Sequence, residues 1–317
     1  MPITKVADIA YARLSAPDLD RQEAFLTHFG LARTARTNTA LYMRGSDPAH
    51  HLHVTELGEP RFIGFAYCAT DEDALATLAR VPGASGIEHI DEPGSGKRVR
   101  LTDPHGFQIE VVHGIDTVAP LPLVENAINS AGERHKRLGT LTRLAPGPVP
   151  VKRLGHGVIV STDLPKALAW YRETLGFIPS DEIFRDDERN VISSFNRLDR
   201  GESYVDHHVF FCMQGPKAGL NHIAFEVANF DAVMTGHEYL KSLGTYKPIW
   251  GVGRHVYGSQ IFDYWADPWG RVHEHMTDSD MLNASAAPSL NRAAPGGNRS
   301  QWATACRHIS SITPHRN

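Results

Sequence analysis

Short apolar runs of strand length alternate along the chain with longer stretches of helical periodicity. Val158-Ile159-Val160 is a continuous apolar run and reads as a buried strand. Leu164 to Leu175 reads as a helix, with Asp163 at its N-cap and Gly176 just beyond its end. An aspartate there can accept a hydrogen bond from an unpaired N–H of the first turn. Tyr204 to Met213 and Asn221 to Val227 read as strands, and Asp231 to Leu243 as a helix closed by Gly244. Gln260 to Trp265 and Val272 to Met276 read as two further strands, parted by the turn Asp267-Pro268-Trp269-Gly270. The pattern is α+β, built of βαβββ units.

That pattern occurs twice. Tyr11 is followed seven residues later by Asp18-Leu19, and His156 seven residues later by Asp163-Leu164. The helix-like stretches then end in Phe29-Gly30-Leu31 and Leu175-Gly176-Phe177. Gly64-Phe65-Ala66-Tyr67 precedes Asp73-Ala74 by the offset that separates His222-Ile223-Ala224-Phe225 from Asp231-Ala232. Asp103-Pro104-His105-Gly106 precedes Glu110 as Asp267-Pro268-Trp269-Gly270 precedes Glu274. Three landmarks in one order predict two homologous domains, roughly 1–140 and 150–285, each with two βαβββ units. The connection over 114–153 is rich in Pro and Gly at its ends, and Leu123 to Leu138 in its middle has the composition of a helix. From Asn283 onward small and polar residues dominate, so 286–317 is expected to be a weakly ordered tail.

Composition narrows the function. The 317 residues, 41% hydrophobic, suffice for about two domains with sizeable cores. Net charge is -4 and no basic stripe is visible, which excludes nucleic acid as an expected partner. No apolar run is long enough to span a bilayer, and Met1 to Ala12 lack the pattern of a signal peptide. Cys68, Cys212 and Cys306 are too widely spaced to suggest a disulfide framework or a thiolate site. The expectation is a cytoplasmic globular protein. Its 18 histidines are the unusual feature, several of them in the strands of the second half.

Setting the halves side by side isolates a chemistry. Where the second half has His156 the first has Tyr11, and where it has His222 the first has Gly64. The acid alone survives in both, as Glu110 and Glu274. Two imidazoles and one carboxylate on three strands can form a facial triad that leaves three coordination positions open, the pattern of nonheme Fe(II) oxygenases. These donors suit Fe(II), with Mn(II) as the alternative, and the missing thiolates argue against structural zinc. Alternation along a strand would turn Glu274 one way and His273 and His275 the other. A single strand histidine is more often core or surface than ligand; here the correspondence between halves picks out three positions together.

These residues carry a resemblance. Gly253-Arg254-His255, Tyr264, Asp267-Pro268-Trp269-Gly270 and Glu274 together resemble the signature of the type I extradiol ring-cleavage dioxygenases of the vicinal oxygen chelate superfamily. Leu154-Gly155-His156-Gly157 and Asn221-His222-Ile223-Ala224-Phe225 are similar to its two histidine-ligand segments. Asp263 departs from the pattern, standing where an aliphatic or aromatic residue is usual. The resemblance implies tandem βαβββ modules in two glyoxalase/bleomycin-resistance-like domains, the first without metal. It implies an aromatic diol and O2 as substrates, a muconic semialdehyde-type product and a homo-oligomer. It gives His255 and Tyr264 the role of binding the catecholate. A histidine near the strand Tyr204 to Met213 would face the oxygen as acid–base; His207 and His208 both qualify, and His207 is favoured because it opens the strand. Trp265 and Trp269 are left as packing or pocket wall. The rival readings are a glyoxalase-like isomerase or epimerase of the same superfamily, and a noncatalytic binding protein.

Overall fold

The computed structural model describes residues 1–123, 126–294 and 300–304. Among these the chain forms two large sheets, one of eight strands and one of ten. The first runs in the spatial order Ala32–Arg36, Ala40–Arg44, His53–Leu57, Asp8–Ala16, Arg61–Cys68, Gln108–His113, Lys97–Thr102, Glu88–His89. The second has at its centre Phe177–Phe184, Val191–Leu198, Phe210–Gln214, Val151–Ser161, Gly219–Val227, Val272–Thr277, Ile261–Ala266 and Lys247–Arg254. Strand for strand, these are the same order, so the duplication read along the chain is a duplication of topology.

Local chemistry explains the helices. Asp163 caps the helix Leu164–Leu175 by accepting from the Lys166 N–H, and Gly176 closes it in the left-handed conformation at φ 76°. Asp18 and Asp71 cap Leu19–His28 and Glu72–Leu78 in the same way. Asn229 caps Phe230–Leu243, which starts one residue before the predicted Asp231. The two turns match as well. Asp103 accepts from the His105 and Phe107 N–H groups, and Asp267 from those of Trp269 and Arg271.

The halves share one core. Phe25 and Phe29 of the first helix pack on Phe225, His273 and His275 of the second sheet. His275 donates to the Phe29 carbonyl at 2.7 Å. Arg271, only 3% exposed, bonds Asp267, the Ser15 carbonyl and Gln22. Gly157 is required because a Cβ there would lie 2.2 Å from the Phe65 ring.

Asp263, the departure from the resemblance, is fully buried on the helix side of its strand. It accepts from the Trp265 indole and lies 3.1 Å from His237 Nδ1 in the helix Phe230–Leu243. That hydrogen bond, working against burial, raises the His237 pKa. Folding therefore favours the protonated ring. The resulting stabilisation is complete below the unfolded value of about 6.5 and fades as pH rises through the raised folded value. Asp263→Asn should lower the thermal midpoint most at about pH 6, with a smaller gap at about pH 9. A gap that widens with pH would contradict the pairing.

Two expectations are corrected. Among the described residues of Leu123 to Leu138 no helix forms. Asn126, Asn129, Ser130 and Gly132 interrupt that stretch and favour local turns over a helix. The tail expected over 286–317 supplies two outer strands of the second sheet. Ser289–Arg292 pairs with Phe177–Phe184, and Trp302–Ala303 with Lys247–Arg254. Sheet edges offer unpaired backbone groups, and a polar tail can satisfy them without an apolar pattern of its own. The expectation for 295–299 and 305–317 lies outside the described residues.

Candidate metal centre

Sheet register brings the three predicted donors together. Ala224, in the middle strand, lies opposite His156 on one side and Glu274 on the other. His222 stands two residues before Ala224, and side chains two apart along a strand share a face. The three side chains thus meet over a small alanine. His156 Nε2 lies 3.3 Å from His222 Nε2 and 3.3 Å from Glu274 Oε2, and His222 Nε2 lies 3.1 Å from the same oxygen. A divalent ion about 2.1 Å from each donor would set them about 3.0–3.4 Å apart.

The burial and the donor set suit a cation. Glu274 is 0% exposed, and neither of its carboxylate oxygens has a conventional hydrogen-bond donor. A buried, uncompensated carboxylate is costly. Burial alone would raise the Glu274 pKa, but His156, His222 and His255 outweigh it and hold the carboxyl well below its usual range. Burial lowers the His222 pKa, favouring the neutral ring that a metal requires. Asn221 Oδ1 sits 2.7 Å from His222 Nδ1 and orients that ring. His273 and His275 face away into the shared core, as alternation predicts.

The first half has closed the equivalent place. In register, Tyr11 and Glu110 flank Ala66 as His156 and Glu274 flank Ala224. The Tyr11 hydroxyl donates to Glu110, and Arg13 Nε pairs with it at 3.2 Å. A Cβ at Gly64, the counterpart of His222, would fall 1.6 Å from the Gln108 carbonyl oxygen. No side chain fits there, and an internal cation neutralises the acid.

Around the second-half triad, His255 Nε2 lies 2.8 Å from the Tyr264 hydroxyl and 3.4 Å from Glu274 Oε1. The Tyr264 ring is 5.1 Å from that of His222, and burial with the Glu274 charge pushes its pKa well up. Trp250 stands 5.7 Å from Tyr264, and Phe262 stacks 4.1 Å from His255, so one wall is aromatic. Sequence reading missed Trp250. Of the two tryptophans it weighed, Trp265 bonds Asp263, and Trp269 stacks on Arg21 and Arg271.

His207 and His208, the two candidates for the oxygen-facing histidine, point in different directions. His208 packs on His156 with ring centroids 4.2 Å apart. His207 turns outward and sets Nε2 2.7 Å from Asp181 Oδ2. These residues lie between the strands Val205–Asp206 and Phe210–Gln214, not inside one. A signal was present in the sequence: His50-His51 sits three residues before His53 as His207-His208 sits three before Phe210. His51 packs on Tyr11 at 4.6 Å, as His208 packs on His156.

Comparison with known proteins agrees with this geometry. The model of the Glyoxalase/Bleomycin resistance protein/Dioxygenase superfamily matches residues 153–274. Its matched span begins just before His156 and ends on Glu274. The chain is 29% identical over 303 residues to metapyrocatechase 2 of Cupriavidus necator, covering 95% of this chain and 90% of that protein. Likeness of fold to solved structures extends over both halves. The substrate complex of homoprotocatechuate 2,3-dioxygenase from Brevibacterium fuscum aligns with a TM-score of 0.76 at 21% identity, covering 95% of this chain and 90% of the other. A Mn(II)-bound glyoxalase from Novosphingobium aromaticivorans aligns equally well, at 0.76 and 23%, over 94% and 91%. No helix among the described residues is long and apolar enough to cross a membrane.

Proposed function

We propose that the protein is an extradiol dioxygenase that opens a catechol-type ring with O2 at a single Fe(II) held by His156, His222 and Glu274. A domain over 150–285 carries the site, and a metal-free one over 1–140 completes the fold. The observation that carries this reading is the meeting of three buried donors, with the His255–Tyr264 pair set against the carboxylate. Three protein donors leave one side of an ion for a diol and oxygen, and the likeness to metapyrocatechase 2 supports that use of it.

The bound ion would supply Lewis acidity and a path for electrons from diol to oxygen. The residues supply the rest. Tyr264 and His255 hydrogen-bond each other beside Glu274, so either can hold a diol oxygen, and the His255 imidazole can take its proton. Trp250 and Phe262 offer flat apolar faces that suit an aromatic ring. His208, not His207, stands next to the donors and serves as the acid–base group. The isomerase or epimerase reading calls for a further protein donor, and among the described residues the cluster has three.

Chain reconstituted with Fe(II) without air should consume oxygen on addition of catechol and air and form a yellow ring-opened product. Mn(II) in place of Fe(II) as the activating ion would revise the metal alone. Tight zinc or nickel binding with no oxygen uptake on any of several catechols would overturn the reading.

A further inference from the structure

The duplicated halves are alike in the histidine pair and unlike in what lies behind it. Ser180 Oγ donates to the His207 carbonyl at 2.6 Å, as Thr34 Oγ1 donates to that of His50 at 2.7 Å. His207 Nδ1 is 3.1 Å from His208 Nδ1, and His50 Nδ1 is 2.9 Å from His51 Nδ1. Both neighbouring strands carry an irregularity at the same place. Pairing runs Pro179↔Asn196 then Asp181↔Phe195 in one, and Arg33↔Met43 then Ala35↔Tyr42 in the other. The counterpart of Asp181 is therefore Ala35. Among the described residues, a carboxylate hydrogen-bonds the outer histidine only in the half that holds the donor triad.

We propose that Asp181 acts through His207 as the positioning residue of His208, holding its imidazole with Nδ1 protonated and Nε2 unprotonated toward the centre. The reasoning follows the hydrogens. A carboxylate can only accept, so His207 must present Nε2–H to Asp181 Oδ2. In the tautomer that this bond selects, His207 Nδ1 is the acceptor. With two Nδ1 atoms 3.1 Å apart, one must carry a hydrogen, and it falls to His208. His208 is left with Nε2 as the nitrogen that can take a proton at the reaction centre.

The added outer strand fixes Asp181 in turn. The Ser289 hydroxyl donates to Asp181 Oδ1, and Asn291 Nδ2 lies 3.3 Å from it. Asp181 and His207 border a cleft of about 500 Å3, lined also by Tyr257, Gly258 and Asp280. The competing influence on His208 is Gln260, whose Nε2 lies 3.5 Å from its Nδ1 and 3.1 Å from Ser279 Oγ. A hydrogen bond from that amide would force the opposite tautomer, but the distance is at the limit of the interaction.

Asp181→Asn is the informative change. Ser289 and Asn291 would keep the amide oxygen at the Oδ1 position, turning the NH2 toward His207. His207 would then accept at Nε2, donate from Nδ1 and leave His208 protonated at Nε2. The full-length chain, labelled with 15N-histidine and loaded with diamagnetic zinc, reports the tautomer directly through its ring nitrogen–proton correlations. The native protein should show His208 protonated at Nδ1, and the variant should show it protonated at Nε2. A native His208 protonated at Nε2 would overturn the proposal and assign control to Gln260, whether or not the variant folds. An unchanged tautomer in folded Asp181→Asn would also overturn it.

The consequence for turnover rests on the dioxygenase reading. With Fe(II), kcat should fall about 100-fold while KM and bound metal stay unchanged, within the range of general acid–base contributions. A kcat within about threefold of native would refute the positioning role. Failure of the native enzyme to consume oxygen would sink the dioxygenase reading while leaving the tautomer result standing.

Discussion

Glu274→Gln should leave a folded protein that no longer retains its divalent ion and has lost at least about 1000-fold in oxygen-dependent ring opening. Changing residues that merely orient metal ligands costs about 10–100-fold, and a ligand itself should cost more. The size of the effect follows from charge. Among the three donors, Glu274 alone is anionic, and it lies in a site with no exposure. Glutamine has the same shape but no charge, and its NH2 would face imidazole lone pairs. Metal addition should therefore stabilise the native chain, by about 4 kcal/mol at a thousandfold excess over Kd, and leave the variant's thermal midpoint unmoved. Stoichiometric iron retained by Glu274→Gln, or by His222→Ala, would mean that the ligands have been misassigned.

His208→Ala is expected to keep the metal and lose about 1000-fold in kcat, as removal of a general acid–base group does. The side chain is 3% exposed and packs on His156 without belonging to the donor cluster. Burial first, then the neighbouring His156 and His207, hold its pKa well below the ordinary histidine value, so it enters the reaction neutral. A neutral imidazole beside the diol can accept a proton and later return it. Single-turnover measurements with anaerobically bound catechol would separate the steps. The diol should bind normally, and the decay after oxygen addition should slow. If metal content falls in parallel with rate, His208 holds His156 in place and is not an acid–base group. His207→Ala should slow turnover less, since its effect passes through His208.

Much of the site is legible along the chain because duplication supplies an internal control. His156, His222 and Glu274 differ from or match Tyr11, Gly64 and Glu110 at fixed offsets, and strand alternation assigns them one face. That same logic extends to residues the first reading passed over. The pair His50-His51 lies in step with His207-His208, and its inner member packs on Tyr11. Reading that correspondence would have selected His208. Asp263 was legible as a departure, but its partner His237 sits on a helix whose facing could be known only after packing.

Sequence alone determined the duplicated α+β plan, the capped helices, the twin Asp-Pro turns and the three convergent donors. Each follows from short-range rules: alternation along a strand, a cap at a helix end, a repeat at constant spacing. Tertiary structure decided what depends on strands far apart in the chain. It turned His208 inward and His207 toward Asp181, set Trp250 beside Tyr264, filled the first-half site with Arg13, and recruited the polar tail as edge strands. The physical reason is that neighbouring residues outside a regular strand have no alternation to direct them. Their facing is set by which hydrogen-bond partners and cavities the folded sheets present.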